Sequence, residues 1–181
     1  MKKTIAFLIG AGACLWAQPA PTMTVARLYD SQLKTTEGEV VSLAEAMPES
    51  KFGFRPTNGE FAKVRTFAEQ IKHIAAVNYL VAGAVLGEKP PVNLGTGENG
   101  PDDVKSKDAV VKFLKDSFAY AHKAMLSLTD KNQLDMIKGP FGDQKSARGG
   151  LANVAVWHPF DHYGQMVVYA RMNGVVPPAS R

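Results

Sequence analysis

His158-Pro159-Phe160-Asp161-His162-Tyr163-Gly164-Gln165 lies inside a segment that reads as helix, and its two imidazoles stand four residues apart. Residues at i and i+4 share one helix face, and neutral imidazole is the commonest protein ligand for metal ions. The spacing suits two rings converging on one ion, although an arbitrary pair at this spacing is more often two solvated or hydrogen-bonded histidines. Only His73 and His122 remain as further histidines, so a third imidazole has few sources. Pro159 interrupts the pair. It removes a backbone donor and biases His158 away from the right-handed helical region. Either a kink or a fresh helical start with Pro159 in its first turn is expected.

Working outward, the helix around this stretch is expected from roughly Ser146 to Asn173. Asn173-Gly174 is a stop signal, and Pro177-Pro178 cannot continue a helix. His158, His162, Gln165 and Tyr169 fall on one face, with Asp161 beside it. Such polar groups are costly to bury unless each is satisfied. A metal with bound water would satisfy them, and so would a hydrogen-bond network.

Three further helices are expected upstream. The first spans about Thr24 to Met47, weakened by Gly38 and closed by Pro48. The second is predicted to begin at a capping box, because Thr57 and Glu60 have that spacing immediately before Phe61. Its apolar stripe runs through Phe61, Val64, Ala68, Ile71, Ala75 and Ala82, and it is apolar nearly all round after Ile71, which predicts central packing. The third runs from about Lys107 to Lys138, with Val111, Leu114, Phe118, Ala121, Met125 and Leu128 forming a seam. His122 sits at the edge of that seam, where a structural or partly exposed ring is expected. Lys89 to Asp103 is rich in Gly, Pro, Asn and Asp and reads as either a rim or lid or a plain crossing. No stretch shows sustained strand alternation. The fold class is all-α, a four-helix bundle with short connections at two of its three joints.

At 181 residues the chain fits one domain, and its net charge of +4 is too small and scattered to argue for nucleic acid. Lys2 and Lys3, the apolar run Ile5 to Trp16 and the small Ala17 form a secretory signal architecture. Residues 1–17 are therefore expected to be a signal peptide and residues 18–181 the bundle domain, exported to the periplasm or secreted. A lipoprotein start at Cys14 is the rival reading. No later apolar run could span a membrane. Cys14 is the single cysteine. If Ala17 ends the signal, disulfides, thiolate nucleophiles and Cys-ligated zinc are excluded, and any metal site draws on His, Asp, Glu and water.

These residues together resemble the DinB-like superfamily of metal-binding four-helix bundles. The resemblance rests on Met47-Pro48-Glu49, Phe54-Arg55-Pro56-Thr57, Phe67 with His73, Asp161-His162-Tyr163-Gly164-Gln165, Tyr169-Ala170-Arg171-Met172-Asn173-Gly174 and Val176-Pro177-Pro178. It covers nearly the whole mature chain. Other members usually carry a residue other than proline at the position of Pro159. The resemblance implies that His73, His158 and His162 ligate a divalent transition metal, zinc or nickel foremost, and that the protein forms a homodimer. Three neutral histidines leave positions for water, the open arrangement of catalytic sites. Asp161 and Glu69 are candidates to orient the ligand rings, and Gln165 and Tyr169 to line a cavity. Three functions compete: a metal-dependent hydrolase of unknown substrate, a metal-dependent thiol transferase, and a non-catalytic metal- or ligand-binding bundle. Export weakens the second, whose cosubstrates are intracellular. A carboxylate buried toward the metal would favour catalysis, and a triad opening onto no cavity would favour the binding module.

Overall fold

The structure, a computed structural model, describes residues 22–181. The signal segment expected over residues 1–17 lies outside the described residues. Four long helices account for just over half of the described residues: α1 (Val25–Ala46), α2 (Phe67–Leu86), α3 (Lys107–Leu126) and α4 (Arg148–Met172). Single 3-10 turns at Glu49–Lys51 and Pro178–Ser180 and a two-stranded hairpin, β1 (Met136–Lys138) with β2 (Lys145–Ala147), complete it. No described helix is long and apolar enough to cross a membrane.

The bundle order is set by packing. Helix α2 packs against α3 and α4, and α1 packs against the same two, so α1 faces α2 across the bundle and α3 faces α4. The pairs α1 with α2 and α3 with α4 are thus diagonal partners, whereas α2 and α3 are neighbours. The first and third connections must cross an end of the bundle, and residues 47–66 and 127–147 provide that length. The expectation of short connections fails for this reason.

Helix α1 matches its expected span, with Thr24 as N-cap accepting from the Arg27 amide at 3.2 Å. It runs unbroken past Gly38, buries Leu33, Val40, Leu43 and Ala44, and ends as Lys107 donates to the carbonyls of Glu45 and Met47.

Helix α2 starts nine residues later than the expected cap at Thr57 implies. The capping box is Thr66 with Glu69: the Glu69 amide donates to Thr66 Oγ1 at 3.3 Å and the Thr66 amide to Glu69 Oε2 at 2.7 Å. Thr57 and Glu60 have the same spacing but lie in the preceding loop, where Lys63 takes a φ of 67° that no helix accommodates. Central packing is as expected, because Phe67, Ile71, Ile74, Ala75, Val81 and Val85 are all buried. Each such large side chain contributes about 1.5–3 kcal/mol on burial. Gly87 closes the helix at φ 74°.

Helix α3 keeps its expected seam buried but stops at Leu126 rather than Lys138. Asn132 donates to the Ser127 carbonyl and exchanges hydrogen bonds with Thr129, so short polar side chains take over the backbone groups a helix would need. The chain then forms the hairpin, with Met136 opposite Ala147 and Lys138 opposite Lys145, where no strand was expected. This segment starts α4. The amides of Arg148 and Gly149 donate to the carbonyls of Asp135 and Gln133, replacing the side-chain cap that Ala147 lacks. Helix α4 then runs as one helix with Pro159 inside it, so Pro159 does not open a new segment.

Two substitutions separate the two candidate caps. Thr66→Ala is expected to cost about 1 kcal/mol of stability, whereas Thr57→Ala should change it by less than about 0.5 kcal/mol. Urea denaturation of both variants measures the difference.

Candidate metal centre

Helices α2 and α4 run antiparallel. Gln70 meets Gln165, His73 meets His158, and further along the Arg148 guanidinium donates to the Val85 carbonyl. Two polar positions on the largely apolar α2, Gln70 and His73, lie one turn apart and face the polar stripe of α4. This brings three imidazoles together. The Nε2 atom of His158 lies 3.2 Å from that of His73 and 3.1 Å from that of His162. One ligand atom from each ring falls within 4.8 Å of the others. His158 and His162 therefore share a face despite Pro159.

Hydrogen bonds define which nitrogen is free on two of the rings. His73 Nδ1 donates to the Glu98 carbonyl at 2.6 Å, and His162 Nδ1 donates to Gln70 Oε1 at 2.5 Å. Both rings then present an unprotonated Nε2 to the centre. His158 Nε2 carries at most one proton and satisfies at most one of them. His158 Nδ1 is buried with no hydrogen-bond partner among the described residues. The cluster is short of donors. A cation resolves the deficit, and for zinc bonded at ~2.0–2.1 Å a tetrahedral site has N–N edges of about 3.3 Å. The spacing and donor set fit a divalent transition metal.

The electrostatics keep the rings neutral. His73 and His162 are only 9 % and 6 % exposed. Burial is the main cause of every shift. It lowers the pKa of His158 to about 3, aided by the neighbouring His162 and His73. It lowers that of His162 to about 4, aided by His73 and Arg65. His73 is also lowered, because burial outweighs the raising effect of its bond to the Glu98 carbonyl. Neutral imidazole is the form that ligates metal.

The residues around the rings differ from those the sequence suggested. Glu69 is committed to the α2 cap and orients no imidazole. Asp161 is exposed; its charge acts on His158, and its hydrogen bonds reach the site through a chain: Gln165 donates to Asp161 at 3.5 Å, Gln70 to Gln165 at 3.0 Å, and His162 to Gln70. Gln165 thus serves in a hydrogen-bond relay. Tyr169 lies apart from it, donating to the Arg65 carbonyl at 3.3 Å and packing edge-on against Phe54. Gln70 escaped notice, although an amide three residues before His73 on a largely apolar helix was its visible signal. The Glu98 carbonyl carried no signal at all, since a backbone acceptor in a loop is contributed by any residue type. His122 takes no part; it lies between Asp30 at 2.6 Å and Glu37 at 3.1 Å, tying α3 to α1.

The centre opens onto a cavity of about 510 Å³, with His73 and His158 in its wall. The connection between α2 and α3 forms the rim through Leu94 to Glu98, as one reading of that loop expected. Arg65 holds this rim by bonds to Asn99 and Glu98 at 2.7 and 2.8 Å. Gly100, at φ 69°, presses the loop onto α2, where a Cβ would stand 3.2 Å from Phe113 and 3.4 Å from the Lys72 carbonyl.

The family model of the DinB superfamily matches residues 32–166, from α1 through the histidine pair. The chain belongs to the DinB superfamily. Among curated proteins no sequence matches it. The DinB match spans all four helices and includes His73, His158 and His162, the three residues whose rings converge.

The lowered pKa values give this DinB protein a pH dependence in its metal-free form. Between the unfolded value near 6.5 and the folded values near 3 and 4, the unfolded chain binds protons that the folded chain does not. Stability is therefore full above pH 6.5 and falls as pH drops toward 4. Urea midpoints of chelator-treated protein across that range should decline, and His158→Phe should flatten the decline. An equal slope in both proteins would contradict it.

Proposed function

We propose that this chain is an exported, metal-dependent hydrolase of the DinB superfamily, with His73, His158 and His162 as the three protein ligands of a divalent transition metal, zinc or nickel. The observation that carries this reading is the convergence of three Nε2 atoms while the Nδ1 atoms of His73 and His162 are held by carbonyl oxygens. When bound, a divalent ion supplies Lewis acidity and brings the pKa of a coordinated water toward neutrality. The chain's own part is positional. Gln70 fixes the tautomer and ring plane of His162, and the Glu98 carbonyl does the same for His73. Trp157, edge-on to His158, covers that ring beside the cavity mouth. Export rests on the Lys2-Lys3, Ile5–Trp16 and Ala17 pattern, and N-terminal sequencing of the protein secreted by an expressing host tests it.

A second reading, a non-catalytic binding bundle, is favoured by one specific observation. Glu98 is the one carboxylate residue in the cavity wall, and its side chain pairs with Arg65. Glu69 is held in the α2 cap and Asp161 is exposed, so among the described residues no carboxylate is buried toward the centre. Hydrolysis would then depend on the metal and the cavity alone.

Metal analysis of the purified protein should find one divalent ion per chain, with at least a tenfold loss in His73→Ala and in His162→Ala. Undiminished content in both would sink the site. Gln70→Leu should weaken metal affinity about 10- to 100-fold, whereas Glu69→Gln should leave it unchanged. Chelator-sensitive turnover of small esters or amides separates the hydrolase from the binding bundle, which would hold metal and turn over nothing.

A further inference from the structure

The two helices that wall the cavity beside the histidines present apolar faces to it, while the rim loop adds Thr96 and Glu98. From His73, helix α2 continues along the cavity with Ala76, Val77 and Leu80, and from His158 the antiparallel α4 continues with Trp157 and Val154. These are i+3, i+4 and i+7 positions on α2 and i−1 and i−4 positions on α4, so both helices extend the ligand face with apolar side chains. Leu94 closes one side. Phe141, at the tip of the hairpin loop, reaches the opposite side, and both it and Trp157 are otherwise exposed.

Among the described residues the wall contains no lysine or arginine. Its one carboxylate, Glu98, has a side chain 81 % exposed and bound to Arg65. Lys72, in the same helix, turns away to the Pro101 carbonyl at 2.5 Å. A ligand carrying a charge along its body would lose hydration here and gain no partner, a cost of several kcal/mol in a buried setting. An apolar body gains with every methylene it buries. The volume suits a small organic molecule rather than a polymer segment.

We propose that the ligand of this cavity is a neutral small molecule with an apolar acyl or aryl body, presenting one polar carbonyl group to the three-histidine centre. The molecule is an uncharged ester or amide, with its apolar part between α2 and α4 under Phe141. An anionic thiol cosubstrate is a poor match for the same wall. The assignment of the carbonyl group rests on the metal reading above; the assignment of the neutral apolar body does not.

The test uses the full chain in zinc-loaded and chelator-stripped forms, with metal content measured first. The stripped protein is titrated with octanamide and with octanoate, following Trp157 fluorescence and calorimetric heat. Octanamide should bind at least tenfold more tightly, and Leu80→Asp, with its helix content checked by circular dichroism, should lose that binding tenfold. The zinc-loaded protein is titrated with acetohydroxamate and octanohydroxamate, and the longer chain should bind at least tenfold more tightly. Octanoate binding as well as octanamide to the stripped form, or chain length making no difference in the loaded form, would overturn the proposal. A protein that takes up no zinc yet keeps its octanamide preference would retain the neutral apolar ligand and refute the metal centre, so the two failures read differently.

Discussion

The contact between α2 and α4 is the constraint on which the site depends. Helix α2 is buried on nearly every side, so its polar residues have no route to solvent and must find partners on neighbouring helices. Gln70 and His73 find theirs on α4 and on the rim loop. The antiparallel run of the two helices then matches their faces residue by residue: the Gln70 turn against Gln165 and His162, the His73 turn against His158, and the apolar turns beyond against Val154 and Trp157. Register here is chemical register. A slip of one turn would leave two imidazoles and an amide buried without partners, each costing about 1–3 kcal/mol.

The long connections between helices have a functional consequence. Two of the three are spent at the cavity, one joining the neighbours α2 and α3 and one crossing between the diagonal pair α3 and α4. The loop from α2 to α3 supplies the carbonyl that orients His73 and the rim from Leu94 to Glu98, pinned by Arg65. The segment from α3 to α4 supplies Phe141 at one side and, through Gln133 and Asp135, the hydrogen bonds that start α4. The same hairpin that shapes the cavity mouth therefore anchors the helix carrying two of the three imidazoles.

Helix existence and the three histidines were legible because periodicity and residue type are local properties. The seam of α3, the caps of α1 and the all-round apolarity of α2 each follow from spacings within one element. Errors arose where two local solutions were equally good. Thr57 with Glu60 and Thr66 with Glu69 offer the same capping chemistry, and the backbone at Lys63 decided between them. The tail of α3 could have remained helical, but Ser127, Thr129 and Asn132 captured its backbone groups.

By itself the sequence determined the all-α class, DinB membership through the pattern spanning residues 32–166, and the identity of the imidazoles available to a centre. These depend on spacing along one chain. Only the tertiary structure decided that His73 meets His158 and His162, that Gln70 rather than Glu69 or Asp161 orients a ring, and that the centre opens onto an apolar cavity. Those facts depend on helix order and register. They are set by which faces must be buried together, a condition that no single segment carries.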